Sequence, residues 1–87
     1  MIQDTSLLAY QKVQVNKRQQ QILNFFKRYP KHYNWTNMEI ANRLNWSINR
    51  VTPRVGELRK KGLLVTALKR SCTVTGNTAY AWRLNNN

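Results

Sequence analysis

The sequence predicts an α+β fold in which a three-helix bundle precedes a β-hairpin. Three observations carry this reading. Helix-starting residues stand at Asn16, Thr36 and Ser47, each followed by apolar residues at spacings of three and four. After Gly62 the apolar spacing shortens to the alternation of a strand. Between two such runs lies Gly76-Asn77, a pair suited to a turn.

In chain order, residues 1–15 form an N-terminal arm that the pattern leaves open. Asp4, Thr5 and Ser6 can cap a short helix carrying Leu7, Leu8 and Tyr10, whereas Val13 and Val15 alternate like a strand or like a segment ordered on a partner. The domain proper spans 16–84. Its first helix opens with Asn16 as cap and Gln19 three residues on. Ile22, Leu23, Phe26 and Tyr29 share its inner face, and Pro30 should end it near Tyr29. A short extended piece is expected at Tyr33 to Trp35. Thr36 and Glu39 then make a capping box for a two-turn second helix bearing Ile40, Ala41 and Leu44. Asn45-Trp46 supplies a turn, and Ser47 caps a third helix with Ile48, Val51, Val55 and Leu58 on one side. Gly62 is placed to end it in the left-handed conformation.

Pro53 fits this third helix poorly, since inside a helix it removes one hydrogen bond and crowds the preceding turn, at about 3 kcal/mol. Either the helix is kinked, or Thr52-Pro53 begins a new one after a separate turn over residues 47–52. The strands are expected at 63–70 and 78–84, the second alternating Tyr80, Trp82 and Leu84 against Ala79, Ala81 and Arg83. Residues 71–77 form the hairpin tip, and Asn85 to Asn87 a polar tail expected to fray. Phe26, Trp35, Trp46, Tyr80 and Trp82 are assigned to the core, because a domain of 87 residues needs large side chains to build one.

Fifteen Lys and Arg against three acids give a formal charge of +12. So large an excess opposes compaction and points to an anionic partner: nucleic acid, a membrane surface or an acidic protein. The sequence contains no apolar run near the length of a membrane span and no charged-then-apolar stretch with a cleavage site, so the expected setting is the cytoplasm, with no membrane partner. The lone Cys72 suits a reducing compartment. No metal site, cofactor motif or catalytic set is legible: His32 and Cys72 stand alone, and no Ser/His/acid group, carboxylate pair or phosphate-cradling glycine loop is present. Enzymatic activity is not expected.

The run TNMEIANRLNWSINRVTPRVGELRKKGLL resembles the second helix, turn, recognition helix and wing junction of the winged helix-turn-helix family. The resemblance covers about residues 16–84. TSL-x-AY near the start, VTPRV in the third helix and C-x-VTG in the hairpin are similar to small winged-helix proteins of phages and prophages. The resemblance implies a duplex DNA-binding protein, a transcriptional regulator or accessory factor acting in the host cytoplasm. The third helix would enter the major groove and the wing would lie on the backbone. On that basis Asn49, Arg50, Thr52, Pro53 and Arg54 are the expected base-contacting residues. Ser47, Arg59, Lys60, Lys61, Lys69 and Arg70 are expected at phosphates. Ser71, Thr73, Thr75 and Asn77 form the wing tip.

Each assignment has a plainer counterpart. Arg50 and Arg54 can pair with Glu57, Arg59 to Lys61 can serve the helix dipole, and Ser47 can act as a cap alone. Lys17, Arg18, Lys27, Arg28 and Lys31 read as a solvated face with a steering role. Two further readings stay open. One is an interaction module gripping an acidic host replication or transcription component; a homodimer is equally compatible. The other is a binder of left-handed duplexes, since Asn49-Arg50-Val51 and Trp82 are similar to the Zα family. Pro53 stands where that family has a stacking tyrosine, however, and Ala79-Tyr80-Ala81 where it has prolines.

Overall fold

The computed structural model describes residues 14–30 and 33–85. Of the N-terminal arm only Gln14 and Val15 are among them. The expectations for residues 1–13, Lys31, His32, Asn86 and Asn87 lie outside the described residues. Three helices, α1 (Lys17–Lys27), α2 (Asn37–Leu44) and α3 (Ile48–Lys60), are followed by two strands, β1 (Leu64–Ser71) and β2 (Thr78–Leu84). The strands pair antiparallel as a hairpin. This is the α+β arrangement of a winged helix.

Local chemistry sets the helix ends. The Asn16 side chain accepts from the Gln19 backbone at 2.8 Å, and the Gln19 side chain accepts from the Asn16 backbone at 3.1 Å. Thr36 and Glu39 repeat this reciprocal box at α2, with bonds of 3.1 and 3.2 Å. Asn45, at φ 58°, ends α2 in the left-handed region that asparagine tolerates. At the end of α3 the Gly62 N–H donates to Arg59 O (2.9 Å) and the Leu63 N–H to Leu58 O (3.0 Å). Those two bonds define a Schellman motif, and they require the positive φ of 79° that Gly62 supplies.

Pro53 does not split α3, which runs unbroken through it, and the proline is exposed. The physical reason lies on the inner side. Val51, Val55 and Leu58, on either side of the proline in sequence, are buried to 1% exposure or less. Burying three such side chains is worth more than the local cost of about 3 kcal/mol.

The core joins Ile22, Leu23, Phe25 and Phe26 of α1 to Ile40 and Ala41 of α2 and the α3 stripe. Leu63, Leu64, Trp35 and Trp82 close it from the hairpin side. α1 ends at Lys27, so Tyr29 falls beyond it and packs half-buried against this core. Trp35 makes a two-bond bridge to Trp82 (3.0 and 2.9 Å), which covers the edge of β2 that β1 leaves free. The hairpin register shifts between Thr66 and Leu68, a bulge at Ala67. Two assignments to the core need correction: Tyr80 is 53% exposed, its ring facing Lys69 of the paired strand rather than the core, and Trp46 is only half-buried. Asn85 is not frayed. Its side chain donates to Gly62 O and its backbone N–H to Leu63 O, fastening the end of the hairpin to the end of α3.

Candidate nucleic-acid interface

With Val51, Val55 and Leu58 turned inward, the remaining residues of α3 divide into three strips, fixed by what each touches. One flank faces α1. There Glu57 accepts from Gln19 at 2.7 Å, and Lys61 donates to the Gln19 side chain (3.0 Å) and to Gln14 O. Arg54 is on the same flank and forks onto Glu57 with bonds of 2.9 and 2.7 Å. That pairing raises the Arg54 pKa further, and the Arg54 and Gln19 bonds hold the Glu57 carboxyl below its usual range. Arg50, one turn earlier, lies over the Trp46 ring, 5.1 Å from its centroid.

The opposite flank faces α2 and the wing. The Thr52 hydroxyl accepts from Asn37 at 3.5 Å, while Asn37 accepts from the Trp82 indole N–H at 2.8 Å. The Arg59 guanidinium lies 4.8 Å from the Trp82 ring centroid. Further along β2, Tyr80 neighbours Trp82 at 5.9 Å between rings, and Lys69 of β1 lies over Tyr80 at 5.3 Å. A shallow depression of about 290 Å³ beside these rings is lined by Asn37, Met38, Thr75, Tyr80 and Trp82 among others.

The middle strip, Asn49, Pro53, Gly56 and Lys60, points away from the core; Asn49, Pro53 and Lys60 are exposed. Lys60 forms no ion pair or hydrogen bond among the described residues. Gly56 is notable because a Cβ there would meet nothing within 4 Å. No packing contact calls for a residue that costs about 1 kcal/mol against alanine in a helix.

The wing is not a free arm. Glu39, 4% exposed, accepts from Arg70 Nη1 (2.8 Å) and Nη2 (2.7 Å), from the Thr73 N–H (2.8 Å) and hydroxyl (2.9 Å), and from Thr36 N–H. Arg70 also donates to the side chain and carbonyl of Asn34. Led by the Arg70 bonds and against the opposing effect of burial, these contacts hold the Glu39 carboxyl at about 2. Beneath them Cys72 is buried, 3.1 Å from the Thr36 hydroxyl. Burial pushes its thiol up, but bonds from Thr36 and from the loop at Thr75 and Val74 outweigh that and leave it below the usual range. The loop closes through Cys72 N–H to Asn77 O and Gly76 N–H to Cys72 O, both 2.8 Å.

These positions revise the expected site. Arg54 takes the plainer of its two expected roles, pairing with Glu57 on the α1 flank. Arg50 escapes Glu57 but turns to the α1 flank, away from the wing. Lys61 is bent onto the start of α1. Arg70 and Thr73, expected at phosphates and the wing tip, spend their donors on Glu39. Ser47 occupies the N-cap of α3 without a side-chain cap bond, so its hydroxyl is not engaged as a cap. Asn49, Thr52, Pro53, Arg59, Lys60 and Lys69 do share one outward surface. Ser71, Thr75 and Asn77 are exposed at its edge, with Thr75 accepting from Asn77 N–H at 3.1 Å. Asn37, Trp82 and Tyr80 belong to that surface too. The sequence marked Trp82 only through the Zα similarity and Tyr80 only as a core residue, while Asn37 reaches the surface through its contacts with Thr52 and Trp82.

Together, fold and surface define a winged helix with a basic helix–wing face. Searches against protein-family models and against curated proteins find no significant match to this chain. Among the described residues no helix is long and apolar enough to cross a membrane, and no cluster of His, Cys, Asp or Glu is arranged to hold a metal ion.

Proposed function

We propose that this protein binds duplex DNA through the outward strip of α3 and the adjoining wing. Asn49 and Thr52 meet base edges, Pro53 and Gly56 permit close approach, and Lys60, Arg59 and Lys69 meet phosphates. One observation supports this reading above the rest: neither described acid lies on the helix–wing face, Glu39 being buried against Arg70 and Glu57 held by Arg54 and Gln19 on the α1 flank. Arg54 and Arg70 pair with those two carboxylates, whereas Arg59, Lys60 and Lys69 on the helix–wing face form no ion pair among the described residues. The third acid, Asp4, lies outside the described residues. The described surface therefore offers positive charge with no acidic counterpart on the helix–wing face.

Selection of bound sequences from a random duplex pool, followed by salt titration of the winners, tests the proposal. If about six phosphates are neutralised, log affinity falls against log salt with a slope near −5. Replacing Lys60 with alanine should weaken all sequences alike and reduce that slope by about one, whereas Asn49→Ala should blur discrimination between sequences. An enriched motif marks a regulator. Binding without one marks an architectural protein. Salt-independent binding, or a protein partner retained from lysate after nuclease treatment with no duplex affinity, would overturn the proposal.

A further inference from the structure

Across α3 from the wing, the start of α1 and the α2–α3 turn enclose a second depression, of about 260 Å³. It is lined by Lys17, Arg18, Gln21, Trp46 and Arg50. Three cations and one amide converge there, with no carboxylate in the lining. Glu57, the acid of α3, is already held by Arg54 and Gln19. Lys17, Arg18 and Arg50 make no ion pair or hydrogen bond among the described residues. The arrangement is costly as it stands, because the three like charges repel. Lys17 and Arg18 also occupy the first turn of α1, which has no acid and where the helix dipole disfavours cations. Arg50 alone is held, by the Trp46 ring at 5.1 Å, which fixes the plane of its guanidinium while leaving its N–H donors unused.

We infer that this hollow is a phosphate-binding site. A planar arginine fork matches two phosphate oxygens, Lys17 and Arg18 supply charge, and the Gln21 amide supplies a neutral donor. Its source, on the duplex-binding reading of the preceding subsection, is a backbone phosphodiester of the strand opposite the wing. α3 would then be flanked by a phosphate grip on either side. The same chemistry suits a free polyphosphate, and the experiment separates the two.

The ¹⁵N-labelled full chain is titrated with a short duplex and, separately, with inorganic pyrophosphate, following the Trp46 indole N–H and Arg50 Nε–H signals. A triple variant, Lys17→Ala, Arg18→Ala and Arg50→Ala, is treated alike, after its spectrum confirms the fold. Both ligands are expected to move the Trp46 signal in the wild type and not in the variant. The variant's salt slope for duplex should be shallower by about one, the loss of a single phosphate contact. Duplex binding with an unchanged slope in the variant and a stationary Trp46 signal would overturn the site while leaving the proposed function standing. Pyrophosphate response without duplex binding would support the site with a free ligand and remove the nucleic-acid reading. No response to either ligand would overturn the site outright.

Discussion

Glu39→Gln should destabilise the domain by about 2–4 kcal/mol at pH 7, and the structure gives two routes to that figure. The carboxylate accepts five hydrogen bonds at 2.7–3.1 Å, two of them from Arg70. Glutamine keeps one acceptor oxygen but turns an amide N–H₂ toward donors, and leaves the guanidinium without its counter-charge. Removing one partner of a buried pair costs about 3–5 kcal/mol; with the Arg70 side chain 26% exposed, water recovers part of that. The second route is linkage. A carboxyl held at about 2 instead of 4.5 is worth at most about 3 kcal/mol of folding free energy. The melting temperature should fall by roughly 10–20 °C. Because the folded-state pKa is depressed, this stability is complete above the ordinary carboxylate range and is lost as the pH falls from about 4.5 to about 2. Urea unfolding of wild type and variant followed by circular dichroism, repeated from pH 7 to pH 2, measures both effects. Glu57, also depressed, is common to the two proteins and cancels in their difference. A variant within about 0.5 kcal/mol of wild type at pH 7, or a difference that stays constant down to pH 2, would refute the reasoning.

Two substitutions on the outward strip should separate stability from binding. Pro53→Ala restores an N–H for the Asn49 carbonyl and should raise stability by about 1–3 kcal/mol, read from the same urea curves. Gly56→Ala, whose new methyl meets open space, should stabilise by about 0.5–1 kcal/mol yet weaken duplex affinity in a gel shift, since the methyl occupies the approach side of the helix.

What the sequence made legible was local. The Asn16/Gln19 and Thr36/Glu39 boxes and the Gly62 stop act within one turn, so residue type and spacing were sufficient to find them. The helix order and the change of period after Gly62 carried the fold for the same reason. The site was less legible because its assignments depend on facing directions. Arg50 and Arg54 look alike in sequence, but one lies on Trp46 and the other is spent on Glu57. Arg70 and Thr73 read as wing cations and tip hydroxyls until contacts across 31 and 34 residues bring them to Glu39. At Pro53 the sequence left a kink or a split open, and the burial of Val51, Val55 and Leu58 on the other side of the helix goes with a continuous element, which excludes the split. Tyr80 obeyed strand alternation, but in the fold its ring meets Lys69 and solvent, a neighbour that alternation alone does not reveal.

The latch at Glu39 also determines when entropy is lost. A hairpin anchored only at its strand ends surrenders its freedom on meeting a ligand, at about 0.5–1.5 kcal/mol for each side chain immobilised. Here Arg70 and Thr73 are already fixed, so that loss is incurred during folding. Helix and wing then meet a ligand as one rigid outline, and adaptation falls to the other party. For a duplex, that favours sequences whose groove already has the matching width, or bends to it cheaply, at positions no side chain touches.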